Sequence, residues 1–218
     1  IMDQFASVFG KKGKLMRLDC RSREFEYFPF DLEGYKLVLV NSKVKHELVG
    51  SPYNDRRQSC ENVVKAIAAQ FPSRKVETLR DASWADLDAV RDKVSAEDFK
   101  RAHFVLGEKE RVLAVCDALH KRDYETVGQK MYETHEGLSK DYEVSCEELD
   151  FLNAVAHDCG VAGSRIMGGG FGGCTINLVR DDRYDHFVEE AKRRYEEKYA
   201  LVPEVYPVVI SDGSHRVC

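Results

Sequence analysis

The feature that most constrains this chain is Gly168-Gly169-Gly170-Phe171-Gly172-Gly173, five glycines in six positions. Glycine lets backbone approach a ligand closely and present its N–H groups. Gly168, Gly170 and Gly173 satisfy G-x-G-x-x-G, but a dinucleotide fingerprint must open a helix. Here Cys174, Ile176 and Leu178 alternate with Thr175, Asn177 and Val179, which is strand spacing. A P-loop fails as well, because no Gly-Lys-Ser/Thr follows. What remains is a tight hairpin between two strands, with or without a ligand against it. The run is longer than a hairpin needs, which favours a ligand-facing loop.

The flanking pattern places that loop in a fold. Met2 to Phe9 has helical spacing and ends at Gly10 and Gly13. Leu15 to Cys20 and Glu24 to Phe30 read as two strands around Arg21-Ser22-Arg23. Leu37 to Val40 is a short apolar run, as for a strand covered on both faces. A loop through Gly50-Ser51-Pro52-Tyr53 leads to a helix from about Asp55 to Gln70. Ser95 with Asp98 resembles a capping box ahead of Phe99, Ala102, Leu106, Leu113 and Cys116. A second long helix runs from about Tyr124 to Leu138. Ser145 with Glu148 resembles another capping box, ahead of Leu149, Leu152 and Ala156, and Gly160 or Gly163 ends that helix. Tyr184, Phe187, Val188, Ala191 and Tyr195 return to helical spacing, and Val205 to Ile210 is a last strand.

From residue 35 to residue 210 the order is strand, helices, strand, strand, helix, strand. That is an α+β, ferredoxin-like split βαβ order with extra helices in its first crossover. The opening 30 residues do not fit that unit and look like the trailing edge of a preceding domain. Ile1-Met2-Asp3-Gln4 reads as the middle of a longer protein, so an excised piece is the expectation.

The 218 residues are 43% apolar and 33% charged, a balance that supports a sizeable core in a soluble chain. A net charge of −5 argues against a broad nucleic-acid footprint. No apolar run reaches the ~18–20 residues of a membrane helix, and no leader pattern suggests secretion; a cytoplasmic protein is expected. The seven cysteines are odd in number with no C-x-x-C pair, so reduced, mostly buried thiols are expected rather than zinc or disulfides. Arg56 and Arg57 begin a helix with Glu61 in reach, so local pairing is expected rather than phosphate binding. His103 and His157 have no metal-like neighbours, and no metal ligands are assigned. Lys192-Arg193-Arg194 to Glu196-Glu197-Lys198 reads as a solvated helix face.

Ser164-Arg165-Ile166-Met167 running into the glycines and Cys174 resembles the third motif of the GHMP small-molecule kinases, and more specifically the galactokinase family. Ile1 to Phe5, Asp19-Cys20-Arg21-Ser22, Asn41-Ser42, Tyr53 to Cys60, Asp141 to Ser145 and Asp212-Gly213 resemble that family in the same order. The similarity covers the whole chain but only the C-terminal part of the family. The sugar-recognition motif rich in Arg, Glu, His and Asp, and the Gly/Ser-rich loop that cradles ATP, are not in these residues.

The resemblance implies a remnant of the N-terminal GHMP domain at 1–30 and the C-terminal GHMP domain at 31–218. It implies transfer of the ATP γ-phosphoryl group to the C1 hydroxyl of D-galactose, with ATP and Mg²⁺ held mostly by the segment preceding Ile1. Asp3 would be the general base, Tyr53 a sugar contact, and Gly169 with its neighbours the wall of the sugar and phosphate pocket. Residues 1–218 alone would then be inactive. The other readings are a kinase for N-acetylgalactosamine or arabinose, and a non-catalytic galactose-sensing module. From position alone, Asp3 is a first-turn acid suited to capping or to the helix dipole, and Tyr53 is a loop aromatic.

Overall fold

Residues 1–45 and 53–215 are described by the computed structural model. The predicted loop through Gly50-Ser51-Pro52, and Cys218, lie outside them. Elements follow the expected order: α1 (Met2–Phe9), β1 (Lys14–Leu18), β2 (Phe25–Pro29), β3 (Tyr35–Asn41), α2 (Tyr53–Gln70), α3 (Trp84–Asp88), α4 (Ala96–His120), α5 (Tyr124–Lys140), α6 (Glu147–Asp158), β4 (Gly163–Ile166), β5 (Cys174–Arg180), α7 (Tyr184–Tyr199) and β6 (Glu204–Val208).

β3 to β6 form one antiparallel sheet in the order β4-β5-β3-β6, the split βαβ arrangement. β1 and β2 pair separately, from Lys14↔Pro29 to Leu18↔Phe25. One sheet face packs on α6 and α7, where Val38, Val40, Leu152, Val155, Phe187 and Tyr195 are buried together. On the other face Leu37 and Leu178 meet Phe28, Phe30, Leu119 and Tyr124, which joins β2 to the first crossover. A further cluster around Val63, Ile67, Leu87 and Leu106 binds α2, α3 and α4.

Several details differ from expectation. β5 turns its polar positions inward: Thr175 and Asn177 are fully buried. The side-chain amide of Asn177 donates to the Val38 carbonyl (3.1 Å) and to Thr175 Oγ1 (3.0 Å), which satisfies its donor side. In β3 Val38 and Val40 are buried while Leu37 and Leu39 are half-covered. Leu113 is 55% exposed, in an open cleft of about 880 Å³ that Phe25 also lines, between the stretch of α4 buried with α2 and α3 (Ala102, Leu106) and the stretch buried under the sheet (Cys116, Leu119).

Ser95 does cap α4, accepting from the Asp98 N–H (3.0 Å). Ser145 does not cap α6. The chain is still extended at Cys146 (φ −136°), so Cys146 holds the cap position and the Ser145 hydroxyl turns to Asp150. Of the six described cysteines, all free, only Cys116 and Cys159 are buried, and Cys20 is exposed. Among the described residues no helix is long and apolar enough to cross a membrane.

Candidate functional site

The glycine run closes the β4–β5 hairpin, whose last pair is Ile166↔Thr175, and the Met167 N–H donates to the Cys174 carbonyl (3.0 Å). Gly168, Gly170, Phe171, Gly172 and Gly173 all have positive φ, so the loop is a succession of left-handed turns. Two chain segments clasp it through backbone. The Ser42 N–H (2.9 Å) and hydroxyl (2.8 Å) both donate to the Gly173 carbonyl, and the Gly173 N–H donates to the Val44 carbonyl (3.2 Å). On the other side the Phe171 N–H donates to the Val144 carbonyl (2.7 Å).

These approaches need glycine. A Cβ on Gly170 would lie 2.0 Å from the Val144 oxygen, and one on Gly172 would lie 2.7 Å from the Val44 oxygen. Gly169 differs from both. It is exposed, and it is not among the positive-φ residues, so backbone conformation does not itself demand glycine there.

The start of α2 adds a third wall. Arg56 is buried; its Nε donates to the Tyr142 carbonyl (2.9 Å), its Nη2 donates to the Glu143 carbonyl, and its guanidinium lies 5.7 Å from the Phe171 ring centre. Arg57 pairs with Glu61 (2.8 Å), as its spacing predicts. The local pairing expected for Arg56 is corrected: its partners are carbonyls 86 and 87 residues away, invisible to helical spacing. Tyr53, 52% exposed, occupies the first position of α2. It lies near the Tyr142 phenol, which is pushed upward in pKa chiefly by burial, with Cys60 and Tyr53 adding to the shift.

Asp3 sits in the first turn of α1, exposed, and no side-chain hydrogen bond caps that helix. The capping reading therefore falls away and the dipole remains. α1 rests on the first hairpin, with Phe5 and Phe9 against Phe25 (6.0 and 5.1 Å between ring centres) and the Tyr27 hydroxyl donating to the Phe9 carbonyl. The structure thus places Tyr53 at the start of the helix whose Arg56 reaches the glycine-loop assembly, while the contacts of α1 run to the first hairpin and to Gly213, whose N–H donates to the Gly10 carbonyl (2.8 Å). Sequence reasoning had no role for Ser42, Val44 or Val144. Their signal was the presence of Asn41-Ser42 and Asp141 to Ser145 among the family-like segments. His103 packs by Trp84 and His157 by Tyr132, and both are exposed.

Residues 116–197 match the family model "GHMP kinases C terminal". The fold is that of the GHMP kinase C-terminal domain. The chain is 39% identical over 218 residues to a galactokinase of Thermotoga neapolitana, and 40% identical over 219 residues to the galactokinase of Homo sapiens. All of the chain is matched in both cases, against 59% and 53% of those proteins. It superposes with a TM-score of 0.90 and 30% identity on the crystal structure of Lactococcus lactis galactokinase complexed with galactose, covering 99% of this chain and 55% of that one. The chain spans a little over half the length of the relatives it matches.

Proposed function

We propose that these residues are the C-terminal portion of a galactokinase, with 1–30 contributed to the N-terminal GHMP domain and 31–218 forming the C-terminal one. The reaction moves the γ-phosphoryl group of ATP to the C1 hydroxyl of D-galactose. The bond from the γ-phosphorus to the β–γ bridging oxygen breaks, a bond from C1 oxygen to phosphorus forms, and the hydroxyl proton leaves to a base. ADP and galactose 1-phosphate are the products. The observation that carries this reading is the glycine loop clasped by three other segments, in a chain that overlays a galactose-bound galactokinase along its whole length.

Asp3 is the proposed base. An exposed carboxylate with no capping duty is free to accept a proton, a role that contributes typically ~10²–10⁴-fold. Tyr53 offers a ring face and a hydroxyl to the sugar. Gly169 and its neighbours bring backbone against sugar and phosphoryl group, where positioning is the main catalytic demand. Among the described residues no three His, Cys, Asp or Glu side chains gather into a metal cage; magnesium on a nucleotide is held mainly by phosphates and one or two carboxylates, and no step is derived through it here.

The test is ADP formation by the galactokinase-length protein with galactose, N-acetylgalactosamine or arabinose. Turnover with galactose is expected. Turnover only with another of these sugars reassigns the substrate, and none with any of them removes the kinase reading in favour of a sensing module. Residues 1–218 alone are expected to be inactive, because they contain no Gly/Ser-rich phosphate loop. Galactose-dependent ADP formation by them would overturn that expectation.

A further inference from the structure

We propose that Asp150 is a positioning residue for the glycine loop, acting through the connection between α5 and α6. The proposal rests on the glycine loop being the wall of the sugar and phosphoryl site.

The Asp150 carboxylate bridges the two ends of that connection. Ser139, in the last turn of α5, donates to Oδ2 (2.8 Å). Ser145, at the far end of the connection, donates to Oδ1 (2.5 Å). His135, one turn further back on α5 and 5% exposed, places Nε2 3.2 Å from the same Oδ1. One side chain thus ties residues 135 and 139 to residue 145. Burial opposes ionisation, yet the hydrogen bonds from His135, Ser145 and Ser139 hold the carboxyl below its usual range, so the charged form is the one these donors fit.

What lies between those ends touches the loop. Val144, adjacent to Ser145, lends its carbonyl to the Phe171 N–H, and that oxygen occupies the space a Gly170 side chain would need. Tyr142 and Glu143 give their carbonyls to Arg56. Glu143 is held at φ +56°, a left-handed conformation that a non-glycine residue keeps only where its surroundings impose it. Releasing Ser145 lets this strained connection relax. The Val144 carbonyl then moves, and Phe171 moves with it. The first turn of α6 already carries Glu147 and Glu148, so a third acid is not needed there for the helix dipole.

The experiment compares Asp150→Ala, Asp150→Asn and Ser145→Ala in the galactokinase-length protein. It measures amide hydrogen exchange across 167–174 against a control segment at the far end of α2, residues 63–70, which packs on α3 and α4, together with the KM for galactose, kcat per folded molecule, and Tm. Asp150→Ala is expected to speed exchange across 167–174 but not in the control, and to lower kcat/KM roughly tenfold through small misplacement. Asp150→Asn recovers part of both effects, because its amide oxygen still accepts from one serine. If Asp150→Ala fails to fold, Ser145→Ala removes one donor and is expected to show a smaller effect of the same kind. Unchanged exchange at 167–174 in folded Asp150→Ala, or in folded Ser145→Ala where Asp150→Ala does not fold, overturns the proposal. So does a loss of activity that only follows the folded fraction. Exchange does not depend on turnover, so a protein inactive on every sugar would sink the functional reading and leave the positioning claim to be decided by exchange alone.

Discussion

Two antiparallel hairpins in this chain are closed in opposite ways. The β1–β2 turn uses side chains. Asp19 accepts the N–H groups of Arg21 (2.8 Å) and Ser22 (3.2 Å), Arg23 supplies one left-handed residue, and Arg80 and Asp81 pair outward to Asp19 and Arg21. The β4–β5 loop uses backbone. Its five positive-φ residues include four glycines, and its partners are the carbonyls of Val44 and Val144 and the N–H of Ser42, with the Ser42 hydroxyl the one side chain added. A reversal alone is secured by an Asp and one left-handed residue. Glycine is entropically the costlier solution, so five in six positions mark a place where backbone itself must reach a surface. The first hairpin carries the proposed base through α1, and the second carries the proposed wall.

If that division holds, the largest effect belongs to the base. In the galactokinase-length protein Asp3→Asn is expected to lower kcat by ~10²–10⁴-fold with Tm nearly unchanged, since no capping bond is lost. Near-normal kcat with a lowered Tm would return Asp3 to the helix dipole and leave the first hairpin with no part in chemistry.

The next largest effect separates glycines within the second hairpin. Gly169→Ala is expected to keep Tm and lose ~10²-fold in kcat/KM, the scale of a ~1 Å misplacement. Gly170→Ala is expected to lower Tm as well, because its Cβ meets the Val144 oxygen at 2.0 Å with φ +83°. Kinetics and melting on the same samples decide the matter. Normal kinetics per folded Gly169→Ala molecule would make the second hairpin as purely structural as the first.

Much of this contrast could be read before any coordinates. Alternation after Cys174 marked the glycine run as a hairpin rather than a helix start, and the strand and helix order implied the sheet order that is observed. What stayed hidden depends on partners distant in sequence. Thr175 and Asn177 face inward because Asn177 bonds to Val38, 139 residues away. Arg56 was expected to pair along its own helix and instead holds Tyr142 and Glu143. Ser145 looked like a cap because a capping box is a local pattern, whereas its real partner, Asp150, is chosen by how the chain enters α6.

A smaller effect tests whether α2 joins the second hairpin in holding ligand. Tyr53→Phe removes one sugar hydrogen bond, ~0.5–1.5 kcal/mol, and is expected to raise the galactose KM roughly 2- to 12-fold with little change in kcat. An unchanged KM would leave Tyr53 as a surface aromatic and confine the site to the loop.

The smallest effect lies in the first hairpin's own clasp. Arg80 hydrogen-bonds to the Asp19 carboxyl and is the largest cause of its pKa falling well below the usual range, with the Arg21 N–H adding to it; Arg21 lowers Asp81 in the same way. A carboxyl with a depressed folded pKa adds stability that is fully present above its unfolded pKa and is lost as pH falls toward the folded one. Both pairs are solvent-accessible, so salt screens them. Arg80→Ala is therefore expected to lower Tm slightly at neutral pH and low salt. The difference from wild type should shrink at high salt and again below about pH 4, where unfolded carboxyls protonate. Galactose kinetics should not change, because these pairs close a turn and touch no wall of the loop. A clear kinetic defect in Arg80→Ala would mean that the clasp sets the position of α1, and with it Asp3, through Phe25.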